Sequence, residues 1–328
     1  MIISDLEHEQ KIKKLTTVTE RLIKASEKNS MSTLHDHPWE VELTEPVYLK
    51  IKERISIYGT PYWEKTTEEE RRKLAFEEMI TWWSAFIHLE SLVVEAYQAE
   101  LNNGCFNKYP EIRQYMRHFI KEELIHTIVF QKGIDYFGAK IYPMPDFLGS
   151  FYKDHANGKD PLMSVFLTMM IEWIADEYQR LDTNGDEIHP MARNLVQAHW
   201  KEEMRHIKWG QNMIKHLIHT DEEFKINVQQ LTPIYLRQQV DQGVTNIDCF
   251  DRVQMADPAF EDKEALLEAV LYSEHRQKLN AELVAPLLNY YINSGVYTVE
   301  YHDTWVSQGF GEQINEILAR KIKKISSK

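Results

Sequence analysis

The sequence predicts an all-α fold: a four-helix bundle core with additional helices at its amino and carboxyl ends. Three observations predict it. Apolar residues recur at helical spacing over long stretches. Glycine (12) and proline (11) are scarce for 328 residues, which favours long helices with few turns. The chain also carries Glu-x-x-His twice, each copy preceded by another glutamate at nearly the same distance: Glu90 before Glu123-Leu-Ile-His126, and Glu172 before Glu203-Met-Arg-His206.

Residues 8–28 alternate charge with Leu15, Val18, Leu22 and Ile23 and predict a first helix. Residues 29–46, with Pro38 and Pro46, read as a loop, and a short helix is expected at 47–57. Thr67 with Glu70 forms a capping-box signature that opens a helix to about Leu101, with Glu90 inside. Asn102-Asn103-Gly104 ends it, and Pro110 starts the next helix, to about Phe137, which holds Glu123 and His126. Pro143 and Pro145 mark a connection. Pro161 opens a third helix to about Leu181, with Glu172 inside. The segment Asp182-Thr-Asn-Gly-Asp186 reads as a turn, because its glycine is misplaced for a calcium loop and no closing glutamate follows. Pro190 opens a fourth helix to about His219, with His199, Glu203 and His206. Further on come a helix near 222–240, a loop at Asp257-Pro258, a long helix near 261–293, an irregular aromatic stretch over 295–310 and a terminal helix to about 325. We expect one domain over 1–328, with a metal-binding bundle core at about 66–220.

Charge and composition narrow the partners. The net charge is −13, from 51 acidic and 38 basic residues, which argues against a nucleic-acid partner. The one basic run, Arg320-Lys-Ile-Lys323-Lys324, reads as a solvated helix end. Two cysteines, Cys105 and Cys249, allow one disulfide but do not suggest a secreted scaffold. The start of the chain lacks the basic-then-apolar pattern of a signal peptide. The longest near-apolar run, Pro161 to Ala175, is too short to span a bilayer and carries Glu172. A cytoplasmic protein with no membrane partner is expected.

An α-helix turns about 100° per residue, so His199, Glu203 and His206 fall within a stripe of roughly 60° and can converge on one point. Glu123 and His126 share a face for the same reason. Glu90 shares its face with Phe86, Ile87, Val93, Val94 and Tyr97, and Glu172 follows Met169-Met-Ile; a carboxylate there is costly unless a partner or a metal compensates it. The rivals, Glu95 and Glu177, have more polar neighbours. A lone Glu-x-x-His is usually a surface pair; two of them, each with an upstream glutamate in apolar sequence, predict metal ligands. The expected set is Glu90, Glu123, His126, Glu172, His199, Glu203 and His206. Glutamate-rich, histidine-supplemented sites without cysteine suit iron, with manganese as an alternative, better than structural zinc. Glu122 and Glu202 are candidates to accept the free N–H of a ligand histidine from a neighbouring helix. The other histidines lack such spacing; His88, near Glu90, is the one to watch.

On these residues the chain resembles the ferritin-like di-iron carboxylate proteins, and among them most the p-aminobenzoate N-oxygenase family. His199, four residues before Glu203, matches that family's third histidine ligand, and Glu-Glu-Met-Arg-His206 is similar to its acidic-Glu-x-Arg-His signature. The first copy departs from it, with Ile125 in place of arginine and Glu122 in place of aspartate, which bears on a charge network behind the first metal and not on the ligands. The resemblance covers roughly residues 60–220. It implies an O2-dependent non-haem di-iron oxygenase with two iron ions, acting on a small-molecule arylamine or other amine and carrying it through hydroxylamine and nitroso stages to a nitro compound. The chain has neither a dinucleotide-binding glycine motif nor a cysteine set for an iron–sulfur cluster, so electrons are expected from an external reductase or ferredoxin-like donor. A homodimer is the default assembly. Alternative readings are a di-iron C–H hydroxylase or desaturase and, from another class, a ferritin-like iron-storage or iron-sensing protein. Tyr290, Tyr291, Tyr297, Tyr301 and Trp305 are candidates for a cavity roof, for core or for dimer contacts. If His199 changes the character of the oxidant, His199→Ala alters iron content or product distribution; both unchanged would remove His199 from the chemistry.

Overall fold

A computed structural model describes residues 5–31, 37, 39–40, 48–104, 106–144, 161–242 and 246–326. Among the described residues there are eleven α-helices and no strand. The bundle consists of α2 (Glu68–Asn102), α3 (Pro110–Tyr136), α4 (Pro161–Asp182) and α5 (Pro190–Thr220), preceded by α1 (Asp5–Asn29). After it come α6 (Glu222–Gln242), α7 (Asp248–Val253), α8 (Lys263–Tyr272), α9 (Glu274–Ser294), α10 (His302–Ser307) and α11 (Gly311–Ser326).

Local chemistry sets the bundle boundaries. The Thr67 hydroxyl accepts from the Glu70 amide, and the Glu70 carboxylate accepts from the Thr67 amide at 2.8 Å, so the capping box that opens α2 is complete. Prolines 110, 161 and 190 begin α3, α4 and α5, where a missing N–H costs nothing. The α2–α3 and α4–α5 pairs pack most closely; α3 against α5 and α2 against α4 close the bundle, and α1 lies over α3 and α5. Gly210 lets α5 approach α4: a β-carbon there would lie 2.7 Å from Met169 Cβ, one turn beyond His206.

Outside the bundle some expectations change. Among the described residues of 47–57 the only helical element is a 3-10 turn, Lys52–Arg54. Helix α7 was not foreseen. The long helix expected near 261–293 is two helices, broken at Ser273, whose extended backbone and hydroxyl cap α9 through the Arg276 amide. The aromatic stretch includes α10. Tyr290, Tyr291 and Trp305 are buried; Tyr290 packs with Trp173 and Tyr291 with Phe166 of α4, and Trp305 packs on Tyr291, so they are core rather than a roof. Cys249 is a buried free thiol; Cys105 lies outside the described residues, as do Pro38, Pro46, Pro145, His35 and His155. Among the described residues no helix is long and apolar enough to cross a membrane. One buried apolar cluster runs from Leu15 in α1 to Ile314 in α11.

A buried ionic network ties residues 50–56 to the bundle. Lys50 Nζ lies 2.9 Å from both Glu78 of α2 and Asp182 at the end of α4, and Arg54 reaches Asp182 at 2.5 Å. The Asp182 side chain therefore has a structural role in the turn that was weighed as a calcium loop. Burial opposes the Lys50 charge, but Asp182 and Glu78 outweigh it and raise its pKa. Removing one anion leaves two buried cations under-compensated. Asp182→Ala is therefore expected to lower the unfolding free energy by about 3–5 kcal/mol in urea titration; a loss well under 1 kcal/mol would mean water enters freely.

Candidate metal centre

Each bundle helix supplies residues to one buried cluster. Glu90 comes from α2, Glu123 and His126 from α3, Glu172 from α4, and His199, Glu203 and His206 from α5. All are almost fully buried. They form two groups whose ligand-type atoms lie within 4.8 Å of one another: Glu90, His126 and His199 in one, and Glu123, Glu172, Glu203 and His206 in the other. The structure thus brings all seven expected residues together. The rivals stay outside: Glu95 is exposed and Glu177 is held by Arg180. His88 is also elsewhere, with Nε2 2.9 Å from the Tyr142 carbonyl oxygen.

The two groups share carboxylates. Glu203 Oε1 lies 3.1 Å from His126 Nδ1 and 3.3 Å from His199 Nε2, whereas its Oε2 lies 3.0 Å from His206 Nδ1. Glu123 is similarly placed, with Oε1 2.8 Å from His206 Nδ1 and Oε2 3.8 Å from His126 Nδ1. The grouping assigns both glutamates to the second set, but these distances put each astride the two. Glu90 Oε1 faces His199 Nε2 at 3.1 Å.

Each histidine turns its other nitrogen to an acid. Glu202 of α5 accepts from His126 Nε2 of α3 at 2.8 Å, and Glu122 of α3 accepts from His206 Nε2 of α5 at 2.9 Å. The helices therefore exchange supports, as the sequence suggested for Glu122 and Glu202. The structure adds two residues the sequence reading left without a role. Asp176 Oδ1 stands 3.5 Å from His199 Nδ1; at i+4 from Glu172 it shares that face of α4, and this spacing was the available signal. Arg205 Nη2 reaches both Glu122 (3.0 Å) and Glu202 (2.7 Å), so one guanidinium serves both copies although Ile125 replaces the first arginine. Phe86, Phe119 and Phe130 wall the cluster, with Phe119 stacked on His206 at 3.7 Å between ring centroids.

The electrostatics show how demanding this interior is. Burial raises the pKa of Glu90, Glu172 and Asp176 well above the carboxylate range, and Glu203 reinforces all three shifts. Burial also opposes charge on Glu203, yet His206, His126 and His199 prevail and pull its pKa down. For His126 and His206 burial is outweighed by the surrounding carboxylates, which push both pKa values up. His199 is driven down to about 3 by burial and by His126, which keeps its ring neutral. Both oxygens of Glu172 and Glu90 Oε2 make no hydrogen bond, while Glu123, Glu203 Oε1 and His126 Nδ1 have only the histidine–carboxylate approaches described above. Buried groups of this kind need protons or metal ions as partners, and a set of hard oxygens with imidazole nitrogens fits divalent iron or manganese.

Fold and site define a ferritin-like helical bundle with buried carboxylate and imidazole groups suited to a di-iron centre. The family model described as "P-aminobenzoate N-oxygenase AurF" matches residues 13–295, most of the chain, and the protein belongs to that family of oxygenases. No curated protein matches it. Metal binding should stabilise the fold by linkage: at a free concentration of 100 Kd each occupied site adds about 2.7 kcal/mol. Anaerobic Fe(II) or Co(II) is expected to raise the melting temperature of the parent and to raise it less in Glu172→Ala; equal shifts in both would place the binding elsewhere.

Proposed function

We propose that the protein is an O2-dependent di-iron N-oxygenase acting on an arylamine or a related small amine. The carrying observation is the pair of adjacent buried donor groups, with Glu123 and Glu203 of one approaching the histidines of the other. In this reading Glu90, Glu123, His126, Glu172, His199, Glu203 and His206 would hold two iron ions. His126 and His206 would offer Nδ1 and His199 Nε2, the nitrogens that face the carboxylates. Glu123 and Glu203 face histidines of both groups and, with Glu90 and Glu172, would complete the donor set.

Two bound irons would supply the electrons and the open coordination position needed to activate O2 for oxygen transfer. The rest is the work of the chain. Glu202 and Glu122 hold the Nε2–H of His126 and His206, fixing the tautomer that leaves Nδ1 free. The phenylalanine wall keeps bulk water from the buried donors. Family membership supports nitrogen as the position oxidised. An external reductase or ferredoxin-like protein supplies electrons, and the chain works as a homodimer in the cytoplasm.

The test is direct. Protein loaded anaerobically with Fe(II), reduced with dithionite and exposed to 18O2 is offered arylamines, alkylamines and hydrocarbons. The expected result is about two irons per chain and 18O bonded to nitrogen in a hydroxylamine, nitroso or nitro product. Label on carbon would make the protein a C–H oxygenase, and hundreds of irons per chain would make it a store.

A further inference from the structure

The amino-terminal helix α1 contributes none of the seven donors, yet it closes over the centre. Its buried stripe alternates apolar Leu15 and Ile23 with polar Thr19 and Ser26. Ser26 falls where α1 crosses Glu122, one of the two glutamates behind the histidines. Ser26 Oγ lies 3.3 Å from Glu122 Oε2, the oxygen that also takes His206 Nε2–H. Ser30 Oγ lies 3.0 Å from Glu122 Oε1 and 2.8 Å from the Ser26 carbonyl oxygen, and Lys121 Nζ donates to it at 2.6 Å. Just past the helix, the Met31 amide donates to Glu202 Oε1 at 2.7 Å. With Arg205 between them, all four oxygens of Glu122 and Glu202 are occupied.

We propose that α1 is a working part of the metal centre: Ser26, Ser30 and the Met31 amide are positioning groups that fix Glu122 and Glu202, and through them the rings of His206 and His126. The inference rests on reading the seven residues as metal ligands. A carboxylate with both oxygens held cannot rotate, so the imidazole bonded to it keeps its nitrogen aimed at the ion. The two halves are served differently. Ser26 and Ser30 act on Glu122 alone and so on His206, which groups with Glu123, Glu172 and Glu203. Met31 acts on Glu202 alone and so on His126, which groups with Glu90 and His199. Disturbing one end of this clamp therefore loosens one metal position and spares the other.

Anaerobic Co(II) titration of the full-length, metal-free protein tests this by visible absorbance and calorimetry, with thermal melts in parallel. His206→Ala and His126→Ala first assign the bands of the two cobalt equivalents. Ser26→Ala with Ser30→Ala is expected to weaken the His206 equivalent about ten- to a hundredfold and leave the His126 equivalent unchanged. Met31→Pro, which deletes the amide proton, does the reverse. Ser30→Thr retains the hydroxyl and behaves as the parent. Ser30→Ala alone keeps the comparison open should the double variant not fold. Unchanged cobalt affinities and bands in the folded variants, even with lower melting temperatures, overturn the proposal, as does equal weakening of both equivalents. A parent that binds two cobalt ions while the variants match it defeats this inference alone; a parent that binds none defeats the ligand assignment as well.

Discussion

Four glutamates in an apolar interior create the need for positive charge on which the architecture turns. Glu90, Glu123, Glu172 and Glu203 lie almost completely out of water, within a few ångströms of three imidazoles. Isolated ionised carboxylates cannot be buried at tolerable cost, and the raised pKa values of Glu90 and Glu172 express that penalty. Two divalent cations would carry the charge that four carboxylates require. The same ions would satisfy oxygens that have no hydrogen bond. The bundle is built for this: every one of its helices delivers at least one donor, and α5 delivers three.

Support behind the donors is crossed between α3 and α5. Each helix presents a glutamate, its neighbour in sequence, to the other helix's histidine, so the two Glu-x-x-His copies hold one another in place. Arg205 joins the two supports. The departure at Ile125 therefore costs the first copy no charge partner, because the second copy's arginine reaches across. What distinguishes the halves is His199, backed by Asp176 rather than by a glutamate tied to an arginine.

The meeting of the seven side chains was legible because helical geometry turns spacing into proximity. An i, i+3 or i, i+4 pair must share a face, and a glutamate flanked by Phe86, Val93 and Tyr97 has no inexpensive position except beside a counter-charge. The bundle boundaries were legible for a similar reason: Thr67-x-x-Glu70 and the helix-opening prolines act locally. Groups brought together only by tertiary packing were not legible. Lys50 and Asp182 are far apart in sequence, and Ser26, Ser30 and Met31 carry no motif that announces Glu122 or Glu202. The break at Ser273 was missed because apolar periodicity continues across it, while the serine cap outweighs continuation.

Anomalous diffraction from crystals of the Fe(II)-loaded protein, recorded at the iron edge, tests the central claim most directly. Two peaks are expected in the bundle interior, one against Glu90, His126 and His199 and the other against Glu172 and His206, with Glu123 and Glu203 touching both. A single peak, or iron found only on surface carboxylates while the seven side chains keep their direct contacts, would contradict it.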